Sequence, residues 1–311
     1  MKAALVLFLF FTQCAFAQEL FPSNESASPL AKNSFAARFS YENYKEPLGR
    51  SKHWAAARVM YGLTRNLTVG GSLTGSNHHL RKFPDNMLFY LVNHHKRTYK
   101  ALPFILEGSH LYMKYRVFSK DGNQRHLRGA VFGEVSKSFT THDVAEPMLM
   151  GDNSGIGGGI IITQLYRRLA FSITTGYITP FKYKDEVATF KSGNAIYYNF
   201  SIGYRAFPSI YRSVNDFNIN FYVELMNKIY DKASITYRND LFDIDYFKTE
   251  DYYTYLTLQM GKYSELRPAV QFILDATTRL DLFVGLPIQS RSYVAYYPTV
   301  NINFQKYFFS R

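Results

Sequence analysis

Cysteine is nearly missing from this chain. Its 311 residues include one, Cys14, inside the N-terminal leader described below. Disulfides and thiolate chemistry are therefore closed to the exported part. Tryptophan occurs once, and beyond the leader no stretch approaches the roughly 20 consecutive apolar residues that a membrane helix needs. Helical spans are excluded. A basic-aromatic nucleic-acid motif is also missing, so the excess of positive charge does not point to DNA or RNA.

What is present begins with the leader. Met1 to Ala17 carries Lys2, an apolar run from Ala3 to Phe11 and the small-residue site Ala15-Phe16-Ala17, the three-part layout of a secretory signal peptide. The mature chain is expected to begin at Gln18. Gln13 precedes Cys14 where a lipoprotein would carry a small residue, which disfavours a lipid anchor. An exported domain of this size without disulfides must be held by something else.

Composition indicates what that is. Tyrosine (26) and phenylalanine (27) make the chain 17% aromatic, and 47% of residues are hydrophobic, yet the mean hydropathy is only -0.21. Apolar residues that are abundant but dispersed in alternation fit a transmembrane β-barrel, whose strands alternate between lipid and lumen. The net charge of +12 falls to +11 without Lys2. Its expected partners are outer-membrane lipid and lipopolysaccharide headgroups.

Alternation recurs along the whole mature chain. Ala55, Ala57, Val59, Tyr61 and Leu63 interleave with Ala56, Arg58, Met60 and Gly62. After Thr64-Arg65-Asn66 the pattern resumes from Leu67, so the two runs predict an antiparallel hairpin. Further pairs meet at the tight links KDGNQR, Tyr166-Arg167-Arg168 and Thr277-Thr278-Arg279, while long polar stretches at 80–107, 139–155 and 182–194 separate the pairs. Such long loops belong on the outer face of a barrel. Thirteen strand segments can be named, including YTYLTLQMG, and the weak ASITYR makes fourteen. Both termini on one side require an even number, so the expectation is an all-β, up-and-down antiparallel barrel of about 14 strands, with about 12 as the alternative. The barrel is assigned to 34–311. Residues 18–33, with Pro22 and Pro29, are a periplasmic lead-in or a plug.

This register turns Arg38, Arg58, Lys114, Arg116, Arg128 and Arg205 toward the lumen, where charge avoids the lipid penalty. It opposes them with Glu42, Glu134, Glu224 and Asp281. Two readings follow. The surplus of cations favours anionic or neutral polar solutes, or the charges pair across a packed lumen that conducts nothing. No catalytic, cofactor or metal residue is expected. His78-His79 and His94-His95 lack partners at ligand spacing. Asp143, Glu146, Asp152 and Asn153 lack an EF-hand pattern, and nothing marks His110 and Ser136 as a hydrolytic pair.

YGLTRNLTVG, AEPMLMGDNSGIGGGIIITQL, TTRLDLFVGLPI and YYPTVNINFQKYF together resemble the meta-pathway phenol-degradation family of outer-membrane barrels. The resemblance implies a channel or transporter for passive uptake of small solutes, hydrophobic or aromatic ones included, and supplies no catalytic motif. The alternatives are a non-conducting structural or surface-binding barrel and, behind it, a lipid-modifying enzyme. The sequence is silent on oligomeric state.

Overall fold

In the computed structural model, residues 20–45, 51–77, 103–140, 148–184, 188–210, 213, 215–237, 261–291 and 297–309 are described. They form β1 (Phe35–Lys45), β2 (Ser51–Gly62), β3 (Leu67–Ser76), β4 (Ile105–Gly122), β5 (Arg125–Ser138), β6 (Gly155–Tyr166), β7 (Leu169–Pro180), β8 (Tyr183–Lys184), β9 (Ala188–Lys191), β10 (Ala195–Phe207), β11 (Asn218–Tyr230), β12 (Ser234–Tyr237), β13 (Gly261–Asp275), β14 (Thr278–Arg291) and β15 (Thr299–Phe308).

Twelve of these close into one barrel, in the order β1-β15-β14-β13-β11-β10-β7-β6-β5-β4-β3-β2. Every pairing is antiparallel, and β1 seals the sheet against β15 from Phe35↔Phe308 to Tyr44↔Thr299. The smaller of the two expected counts holds, and the figure of fourteen is corrected. ASITYR contributes β12, which pairs with β9 in a separate three-stranded sheet. YTYLTLQMG lies outside the described residues except Gly261, which opens β13. The leader, both histidine pairs, Asp143 and Glu146 also lie outside them. Ile105 to Glu107, expected in the long loop, belong to β4.

Turn chemistry explains the tight ends. Thr64 Oγ1 accepts from the backbone N–H groups of Asn66 and Leu67 at 3.1 and 3.0 Å, fixing the β2–β3 link. The carboxylate of Asp275 does the same for Thr277 N–H at 2.6 Å. Gln124 and Arg167 take positive φ (53° and 54°) to close their hairpins. All these links lie at the end where β1 starts and β15 stops, here called the inner end, which in outer-membrane barrels is periplasmic.

The outward face is apolar. Val59, Leu111, Ile202 and Phe221 are each more than half exposed, as lipid-facing residues must be once every backbone polar group is satisfied within the closed sheet. The inward face is polar and packed: Thr68, Ser72, Lys114, Ser172, Ser201, Glu224, Gln271 and Asn303 are buried. Inside the wall, aromatic rings lie flat over glycines. A Cβ at Gly176 would strike the Tyr197 ring, and one at Gly203 the Tyr222 ring. Only glycine lets those rings sit against the sheet instead of across the bore.

Candidate functional site

Leu20 to Asn33 has no place in the sheet, yet Phe21, Ala27 and Leu30 are almost fully buried. This stretch runs through the barrel in its inner half. Pro22 and Pro29 withhold two donors and favour extended backbone, so the remaining peptide groups must find partners among lumen side chains or incur the full desolvation cost.

They find them on strands from all around the barrel. The Glu224 carboxylate accepts from Ser23 N–H and Asn24 N–H at 2.9 and 3.0 Å. Ala27 N–H donates to Thr163 Oγ1 at 2.9 Å and Leu30 N–H to Thr68 Oγ1 at 2.8 Å. The carbonyl of Phe21 accepts from Arg279 at 2.9 Å, that of Pro22 from Asn303 at 3.0 Å and from Arg38, and that of Ser26 from Lys114 at 2.7 Å. Ser28 Oγ accepts from Arg128 at 2.8 Å.

Glu25 makes the strongest contacts. Its two carboxylate oxygens meet Arg58 Nη1 at 2.5 Å and Lys114 Nζ at 3.0 Å. Burial alone would raise this carboxyl, but the two cations outweigh it and hold the group far below the ordinary carboxylate range.

Of the side chains that the sequence turned inward, Arg38, Arg58, Lys114, Arg128 and Glu224 therefore touch the segment. Arg116 lies nearer the inner mouth, donating to Asn66 Oδ1 at 2.7 Å. Arg205 is partly buried near the inner end of β10, its N–H on the Arg168 carbonyl at 2.9 Å. Glu134 sits farther out, 2.9 Å from His110 Nε2 and 3.5 Å from the Tyr197 hydroxyl. Many lumen charges are paired. Arg279 binds Asp281 at 2.7 Å and Arg267 binds Glu265 at 2.8 Å.

Beyond the segment, Tyr112 stacks on Phe132 (centroids 5.7 Å apart), and Phe132 is 6.4 Å from Tyr197. Nearer the outer end, residues 148–154 fold inward. Leu149 packs with Ile178, Ala195 and Tyr230, and Gly151 turns at φ 105°, a conformation that suits glycine. Asn153 is fully buried, its amide oxygen accepting from Ser192 Oγ at 2.8 Å. Ser136 lies opposite His110 in the ladder, but its hydroxyl donates to the Asn153 carbonyl at 2.5 Å and so is engaged away from the imidazole. Ser72 is 3.5 Å from His110 Nδ1.

Sequence reading missed Glu25, Arg279, Arg267 and Glu265. Arg279 was legible, because it stands two residues before Asp281 on one strand and must share its face. Glu25 was not, since SNESAS has no period to orient it.

No family model matches the chain, and no curated protein matches it in sequence. Solved structures do. An outer-membrane channel from Pseudomonas putida F1 superposes with a TM-score of 0.56 over 93% of this chain and all of that one, at 10% identity. OprD of Pseudomonas aeruginosa aligns with a TM-score of 0.37 over 88% of this chain and 65% of its own, at 12% identity. The first likeness, at an identity too low to carry function, agrees with the strand order in one conclusion: this chain has the fold of an outer-membrane β-barrel.

Proposed function

We propose that this protein is an outer-membrane channel for passive uptake of small solutes, held closed at rest by residues 20–33. The observation that carries the proposal is the seating of that segment. A barrel wall of twelve strands is wider than the eight-stranded kind that side chains fill alone, and here an extended piece of chain fills it instead. Its bonds run mostly from lumen side chains to backbone, so the segment leaves without breaking the sheet. The chain would reach the outer membrane by way of the cleaved leader, and 80–107 and 139–155 would face outward. The lumen wall of Tyr112, Phe132 and Tyr197, with the resemblance to the meta-pathway phenol-degradation barrels, supports hydrophobic or aromatic solutes.

A second reading, a non-conducting barrel that serves structure or surface binding, draws support from the paired lumen charges and the infolded 148–154. Liposome swelling separates the two. Vesicles carrying the mature chain should swell slowly in a small neutral sugar, and vesicles carrying a chain without residues 20–33 should swell fast. Equal impermeability of both would leave the non-conducting barrel.

A further inference from the structure

Glu25 is the only acid between Leu20 and Asn33. Its contact with the barrel differs in kind from the others, which mainly hold backbone. One planar carboxylate is shared by two cations, Arg58 Nη1 on Oε1 at 2.5 Å and Lys114 Nζ on Oε2 at 3.0 Å. Lys114 is 2% exposed, so removing the carboxylate takes from this buried ammonium the counter-charge it shares with Arg58. Such a site demands a replacement anion. An apolar floor adjoins it: the Arg58 guanidinium lies 5.0 Å over the Tyr112 ring, which stacks on Phe132.

We propose that Arg58 and Lys114 form a binding site for a small monocarboxylate solute, and that Glu25 occupies it as an internal surrogate which the solute displaces. The inference rests on the closed-channel reading, to which it adds a ligand class and a trigger. Two oxygens met by one cation each match a carboxylate, and displacing Glu25 removes the segment's ion pairs with Arg58 and Lys114, loosening its middle.

An intramolecular carboxylate competes at an effective concentration in the millimolar range, so external ligands bind the resting protein weakly. Removing the competitor should expose the site. The test is calorimetric titration of the full mature chain in detergent with benzoate, and with benzyl alcohol as the uncharged counterpart. Glu25→Gln should bind benzoate about tenfold tighter or more than the unaltered chain, leave benzyl alcohol unchanged, and lose the gain when Arg58→Gln is added. A refolded Glu25→Gln barrel that conducts in bilayers but gains no affinity for benzoate overturns the inference and leaves the channel standing. An equal gain for benzyl alcohol also overturns it, since charge would then not be what is recognised. Tenfold tighter benzoate binding in a barrel that never conducts, even without residues 20–33, supports the site and counts against the channel.

Discussion

Removing the Glu224 carboxylate should unseat the start of the lumen segment while leaving the barrel intact. Glu224 is fully buried on β11 and takes two adjacent backbone N–H groups, Ser23 and Asn24, as well as the Ser201 hydroxyl at 3.0 Å. Hydrogen bonds to a charged acceptor contribute about 1.5–3 kcal/mol each. The two that reach the segment thus hold it by about 3–6 kcal/mol, or roughly a hundredfold to ten-thousandfold in the seated-to-released equilibrium. In Glu224→Ala those N–H groups have lost their acceptor, so the seated state itself becomes costly. Beyond Ala17 the chain contains no cysteine, which makes the assay clean. Ser26→Cys, at a site 1% exposed, should resist a maleimide reagent in the parent and label at least a hundredfold faster with Glu224→Ala added, while the barrel keeps its heat-resistant migration on gels. Equal labelling rates in the two backgrounds would refute the reasoning, because the carboxylate would then not be what retains the segment.

Three further outcomes are expected. Asp281→Asn leaves the Arg279 guanidinium, 1% exposed, without its counter-charge, and should destabilise the barrel by about 3–5 kcal/mol, read as a lower unfolding temperature. Leu111→Arg puts a charge on the lipid face and should cost about 2–4 kcal/mol near the midplane in a refolding titration into lipid, whereas the change Ser72→Arg on the inner face should not show that depth dependence. Because the Glu25 carboxyl is held below its ordinary value, its pairing is present above the unfolded carboxylate range near pH 4.3 and is lost only as acidity passes the depressed folded value. Ser26→Cys labelling should accordingly stay slow, after correction for thiolate content, from about pH 7 down to about pH 5.

The wall was far more legible than its contents. Period-two alternation put Val59, Leu111 and Ile202 on one face and Arg58, Lys114 and Arg128 on the other, because a one-residue slip would drive charge into lipid. The tight links were legible as short breaks in the alternation, Thr64-Arg65-Asn66 and Thr277-Thr278-Arg279, although β14 already begins at Thr278; the side chains that fold back to fix these turns are those of Thr64 and Asp275. ASITYR carried the same alternation, and alternation alone does not distinguish a barrel strand from a strand in a small satellite sheet. The segment from Leu20 to Asn33 gave no such signal. Its position depends on contacts 16 to 281 residues away in sequence, from Pro22 with Arg38 to Pro22 with Asn303, and most of them exist only once the sheet has closed.

Single-channel recording in a planar bilayer tests the central claim most directly, comparing the mature chain with one that lacks residues 20–33. Rare, brief openings in the first and steady conductance in the second are the predicted result. Steady, equal conductance in both would show that the segment does not close the lumen, and silence in both would show that the barrel is not a channel.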